Sequence, residues 1–257
     1  MHDHPPSVLA IDTATEVCSV ALLHRDTLTE LIEQVGSRHS ERVLPMIDTL
    51  LSNAGLQLSD IDLFAFGAGP GSFTGLRIAC GVAQGLAYGS QKRVVPIGNL
   101  RALAAGVFES VDQGDRLLAA IDARMKEGYC AIYQRDGAIS EIRTPSLESP
   151  QSLPRLAAEA DVDIVAGNAL TAFADVWPQE KKWTALPLAS PTAGTFARLA
   201  RVDAERGLDV SPAEAIPLYV RNQVALTIEQ RQTGNATPRR SVEAPVPHAS
   251  SQSAPPL

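Results

Sequence analysis

Two aspartates stand where an apolar run gives way to a short polar turn: Asp12 in LAIDTATEVCSVALLHRD and Asp122 in AAIDARMKEGYCAIYQRD. An Asp at the end of a first strand projects from the sheet edge, where α/β proteins hold phosphate and metal. The same residue type also caps turns, its carboxylate accepting from backbone N–H groups. Both readings stay open from the sequence. A third candidate is LFAFGAGPGSFTG, in which Gly67, Gly69, Gly71 and Gly75 surround Pro70. Its N–H groups and the positive end of the following helix would receive an anion, or the glycines make only a tight strand-to-helix turn. The loop lacks the Gly-Lys-Ser/Thr ending of a phosphate loop. Ser72 lies in Gly71-Ser72-Phe73-Thr74-Gly75, which is not the Gly-x-Ser-x-Gly order of a hydrolase elbow.

Metal and thiol chemistry find little support. The histidines, at 2, 4, 24, 39 and 248, include no pair at i and i+4 that one helix face would present to a metal. Cys18, Cys80 and Cys130 lie in apolar surroundings without C-x-x-C spacing and read as buried thiols.

The two Asp-bearing stretches are echoes of one another. Ile11 and Ile121, Asp12 and Asp122, Ala21 and Ala131, Arg25 and Arg135, and Asp26 and Asp136 fall in register, 110 positions apart. Each copy reads as strand, tight turn, strand, hairpin turn, strand, so the expected fold is α/β with two related halves. The period is far longer than that of a solenoid and points to duplication of a domain. The boundaries expected are 1–7 as a disordered N-terminus, 8–93 as the first lobe, 94–230 as the second and 231–257 as a disordered tail rich in Pro and Ser.

Within the first lobe, Val43, Leu44, Ile47, Leu50, Leu51 and Ala54 predict a helix from about Ser40 to Ala54, with Pro45 kinking it or delaying its start. A second helix, about Leu76 to Tyr88, carries Gly81 and Gly85 inside it and Gly89 just beyond. Glycine inside a helix costs roughly 0.5–1 kcal/mol relative to alanine, so the stripe calls for an offsetting gain. Either it packs on the protein's own sheet or it is a docking surface for a second chain. In the second lobe a strand is expected at Val94–Ile97, helices at about Asn99–Glu109 and Pro191–Arg206, and a surface loop between Thr144 and Pro154. PAEAIPLYVR is expected to lie extended on the body, since Pro212 and Pro217 oppose a helix.

The formal charge is −7, of which the tail from Arg231 contributes +2, leaving −9 on the first 230 residues. An acidic body is poorly suited to gripping a phosphate backbone. No apolar run approaches the roughly 20 residues that cross a membrane, and the opening MHDHPPS lacks the pattern of a signal peptide, which predicts a cytoplasmic protein.

LAIDTATEVCSVAL, RHSERVLPMID, FGAGPGSFTGLRIACGVAQGLA, IDARMKEGYCAIY and PLYVR together resemble the TsaB (YeaZ) family, from about Val8 to Arg221. The resemblance implies a duplicated actin-like ATPase (ribonuclease H-like) fold. It also implies a non-catalytic scaffold in the complex that forms threonylcarbamoyladenosine in tRNA, pairing with the catalytic subunit TsaD and supporting docking of the ATPase TsaE. On that reading tRNA is met only indirectly, and the same surface would form a homodimer in isolation. TsaD is similar and holds a metal through a His-x-x-x-His pair; the equivalent stretch here, Pro96 to Ala104, has no histidine. Asp12 and Thr13 are the expected remnant of a nucleotide site, ATP being the one cofactor to test, because neither Asp turn carries a glycine. Candidate interface positions are Leu44, Ile47, Leu51, Ile78, Val82 and Gly85. The alternative is an ATP-dependent small-molecule kinase of the actin-like superfamily; a peptidase would need a metal or an activated nucleophile that the sequence does not show.

Overall fold

The computed structural model describes residues 4–221 apart from residue 181. β1 (Val8–Asp12) is buried along its whole length because it is the middle strand of a five-stranded sheet. On one side it pairs antiparallel with β2 (Val17–His24), which turns through Arg25-Asp26 into β3 (Thr27–Gln34). On the other it pairs parallel with β4 (Leu63–Gly69), and β4 pairs parallel with β5 (Arg93–Gly98). The second sheet repeats this plan around β6 (Arg116–Asp122). β7 (Gly128–Arg135) and β8 (Ile139–Glu148) run antiparallel on one side, and β9 (Ile164–Ala166) and β10 (Thr184–Leu186) run parallel on the other. Both sheets therefore have the order third, second, first, fourth, fifth strand. This is the duplicated actin-like fold, and the echoed stretches are its two β1–β2 and β6–β7 units.

Helices cover the faces. α1 (His39–Ala54) and α2 (Phe73–Ser90) pack on one face of the first sheet, where Val43, Ile47, Leu50, Ala79 and Ala83 meet Leu9, Ile11, Phe64 and Phe66. α6 (Ala193–Glu205) covers its other face through Phe196, Ala197 and Ala200. α3 (Asn99–Ser110) packs on the second sheet with Leu100, Leu103 and Val107, while α4 (Ser152–Glu159) and α5 (Ala169–Ala172) close the opposite face.

Several boundaries differ from expectation. β5 belongs to the first sheet and α6 returns to it, so a division at residue 94 cuts a strand away from its partner; the chain changes sheet after α3. Ser7 is buried, its N–H donating to Asp62 and its hydroxyl bonded to His24, so order begins before residue 8. The expected loop at 144–154 is partly strand. β8 reaches Glu148 because it is an edge strand, and its irregular register beside β7 accommodates Pro145. α1 contains Pro45 on its solvent side and begins ahead of it, and α2 begins at Phe73, three residues earlier than the apolar pattern suggests. The tail expected to be disordered, 231–257, lies outside the described residues.

Candidate functional site

Asp12 ends β1 and Asp122 ends β6, and each caps its own turn in the same way. Ala14 N–H donates to Asp12 Oδ1 at 3.0 Å, and Arg124 N–H donates to Asp122 Oδ1 at 2.8 Å. Their surroundings differ. Asp12 is 2% exposed and Thr13 fully buried. Burial of the carboxyl, with a small contribution from the Glu30 charge, pushes Asp12 up to about 7 despite the N–H groups that favour its ionised form.

The glycine-rich loop encloses this turn. The Thr13 hydroxyl donates to Gly75 O at 2.6 Å, and Ser72 N–H donates to Ala14 O at 2.9 Å. A Cβ on Gly75 would overlap the Thr13 carbonyl, one on Gly71 would lie 2.8 Å from the Ala14 side chain, and one on Gly67 would lie 2.7 Å from Asp12 Oδ1. Three of the four glycines thus make room for the chain's own first turn. The fourth, Gly69, has φ +124° and lies under the Leu218 carbonyl; its N–H donates to Asn99 Oδ1 at 2.9 Å. The tight-turn reading of the loop is the one realised, and the Ser72 side chain is spent capping α2 by accepting from Gly75 N–H. Asp122 instead borders an open groove of about 560 Å³, with Arg124, Lys126, Gln151 and Phe173 on its walls. Arg124 reaches out of that turn to Glu16 at 3.0 Å.

The outward side of α2 is the other distinctive surface. Gly81, Gly85 and Gly89 are exposed, and a Cβ added to any of them would meet nothing within 4 Å. The small side chains that pack inward are the alanines, Ala79, Ala83 and Ala87. At the N-terminal end of the same i, i+4 row lie Phe73 and Arg77. The Arg77 guanidinium stands 3.9 Å over the Phe73 ring, and Tyr219 joins them, its ring 5.6 Å from that of Phe73 and its hydroxyl accepting from Arg77 Nε at 3.1 Å.

This chain is 40% identical to the tRNA threonylcarbamoyladenosine biosynthesis protein TsaB of Haemophilus influenzae, over 85% of this chain and 94% of that one. With the Escherichia coli protein of the same name it shares 38% identity over 85% and 96%. The chain belongs to the TsaB family. Residues 31–180 of this chain also match the family model for TsaD, the tRNA N6-adenosine threonylcarbamoyltransferase. The solved structure of YeaZ from Pseudomonas aeruginosa, 37% identical, covers 83% of this chain and 99% of its own, with a TM-score of 0.75.

Against the TsaB resemblance, the candidate residues separate into two groups. Asp12 and Thr13 are enclosed by their own turn and the glycine-rich loop. Ile47 and Leu51 are in the core beneath α1, which corrects their assignment to a partner surface: the broad apolar stripe of that helix is wider than its exposed edge. Leu44 is 47% exposed, Ile78 and Val82 are half-buried against the core edge, and Gly85 is open. Among the described residues no group of three or more His, Cys, Asp or Glu could hold a metal. The sequence reading missed Phe73 and Arg77, although their spacing of four continues the glycine row toward the helix start, and it missed Tyr219, which is 142 residues away from Arg77.

Proposed function

We propose that this chain is a non-catalytic subunit of the machinery that forms threonylcarbamoyladenosine in tRNA, docking a TsaD-type catalytic subunit through the outward face of α2 and the Leu44 edge of α1. The observation that carries this reading is the open row Gly81, Gly85 and Gly89. Three helix-weakening residues lie on the exposed side of one helix, where they relieve no crowding in the chain itself; they let a second backbone approach closely. The match to the TsaD family model supports the choice of partner, because a chain of kindred fold has a counterpart helix pair to offer. In isolation the same face pairs with a second copy. The assembled pair supports a TsaE-type ATPase, and tRNA is held by the partners, in keeping with the charge of −7.

The kinase reading requires a phosphate at the first Asp turn, and Thr13, Ala14, Gly71 and Gly75 fill that place.

Sedimentation velocity of the chain mixed with the TsaD-type subunit of its own organism tests docking. A 1:1 complex with the wild type that is lost with Gly85→Leu is expected, because the leucine fits the free chain and obstructs only the partner. Equal association by Gly85→Leu would remove α2 from the interface.

A further inference from the structure

Beyond α2 itself, the segment after β10 and α6 returns to the first lobe and lies along the helix. Gln84 Nε2 donates to the carbonyls of Pro212 at 3.0 Å and Ala215 at 2.9 Å, and the Cys80 thiol donates to Ala215 O at 3.4 Å. Further toward the helix start, Arg77 and Phe73 hold Tyr219. Residues 73, 77, 80 and 84 fall on one side of α2 at helical spacing and together fix a strap, residues 212–219, beside the glycine row. The strap ends over the glycine-rich loop: Leu218 N–H donates to Ala68 O at 2.7 Å, and the Leu218 carbonyl covers Gly69. Its outward side leaves Ile216, Leu218 and Tyr219 exposed, next to exposed Phe73.

Phe73 and Arg77 belong to both arrangements. They begin the row that continues through Gly81, Gly85 and Gly89, and they grip the strap. A helix laid along the glycine row would meet the Phe73–Arg77–Tyr219 cluster where the row begins, and Tyr219 directly follows Leu218, whose N–H is bonded to the loop at Ala68. We propose that the strap forms the far edge of the partner-docking face and couples docking of a TsaD-type chain to closure of the glycine-rich loop. This rests on the docking reading above. The occupant is a chain of kindred fold whose helix supplies large apolar side chains opposite the glycines and meets the aromatic and cationic cluster at its end. Coupling of this kind is reciprocal: if docking tightens the strap, loosening the strap weakens docking by the same factor.

Hydrogen exchange of the full chain, alone and in complex with the TsaD-type subunit, reads the first half through the Leu218 amide and its neighbours in residues 212–219. Affinities of Tyr219→Ala and Tyr219→Phe read the second; the phenylalanine keeps the ring contact and loses only the bond to Arg77. Exchange at Leu218 slowed about fivefold or more in the complex, with Tyr219→Ala weakened by a similar factor and Tyr219→Phe intermediate, is the expected result. A complex with unchanged Leu218 exchange, or one that Tyr219→Ala forms as tightly as wild type, overturns the coupling and leaves the docking reading standing. If no complex forms with the wild type, both fall.

Discussion

Thr13 and Gly75 are joined in both directions: the Thr13 hydroxyl donates to the Gly75 carbonyl at 2.6 Å, and the Thr13 carbonyl occupies the space into which a Gly75 side chain would project. Two segments 62 residues apart are thereby held closer than any other residue at position 75 allows. Gly75→Ala should destabilise the chain by about 2–4 kcal/mol, since buried backbone cannot yield as a flexible side chain does. Gly85→Ala, on the open side of the same helix, should stabilise it by about 0.5–1 kcal/mol. Urea denaturation of the two variants checks the opposite signs; a neutral Gly75→Ala would mean that the first turn is free to move.

The Asp12 carboxyl gives stability a dependence on pH. Its folded value, about 7, lies above its ordinary 3.8, so between these two pH values the folded state keeps a proton that the unfolded chain has released. The stabilisation associated with the protonated carboxyl is fully present below about pH 4, declines as pH rises and is lost above about pH 7. The upper bound on this loss is on the order of 4 kcal/mol. Asp12→Asn, which keeps the acceptor for Ala14 N–H, should flatten this part of the profile and be the more stable protein at pH 8. Thermal or urea melts of both proteins from pH 4 to 8 check it, and parallel profiles would show that the carboxyl is not enclosed in solution.

Arg101 on α3 and Asp203 on α6 form a bidentate pair, at 2.5 and 2.8 Å, with the carboxylate almost entirely buried. It ties a helix of the second sheet to a helix of the first. Removing Arg101 strands the buried Asp203 carboxylate, so Arg101→Ala should cost about 3 kcal/mol, while Asp203→Ala, which leaves a guanidinium already a quarter exposed to water, should cost less. The double variant should cost clearly less than the two together, which a double-mutant cycle measures.

An enclosed first turn also bears on nucleotide. The isolated chain should show no binding of Mg-ATP at micromolar concentration by calorimetry. Tight binding that Asp12→Asn abolishes would support the kinase reading.

The sequence showed the duplication plainly, because an Asp closing a β-strand and an Arg-Asp pair at a hairpin are local features that survive in both halves, down to the same carboxylate-to-amide bond at Asp12 and Asp122. It did not show to which sheet β5 belongs, since a parallel pairing with β4 is made across an intervening helix. Nor did periodicity separate Leu44 from Ile47 and Leu51: all three lie on one broad apolar face, and only the position of the sheet decides which edge meets solvent. The glycine row was visible as spacing, but its outward direction followed only once Ala79, Ala83 and Ala87 were seen to take the inward side. The strap was least legible, because Gln84 and Tyr219 make contacts across more than 120 residues of sequence.

The central claim is that the exposed face of α2 carries the function and the enclosed Asp12 turn does not. Quantifying threonylcarbamoyladenosine in total tRNA by mass spectrometry, in the host depleted of this chain and supplied with wild type, Gly85→Leu or Asp12→Asn, tests it most directly. Loss of the nucleoside on depletion, recovery with wild type and Asp12→Asn, and no recovery with Gly85→Leu are predicted. An unchanged level on depletion, or full recovery with Gly85→Leu, would contradict the account.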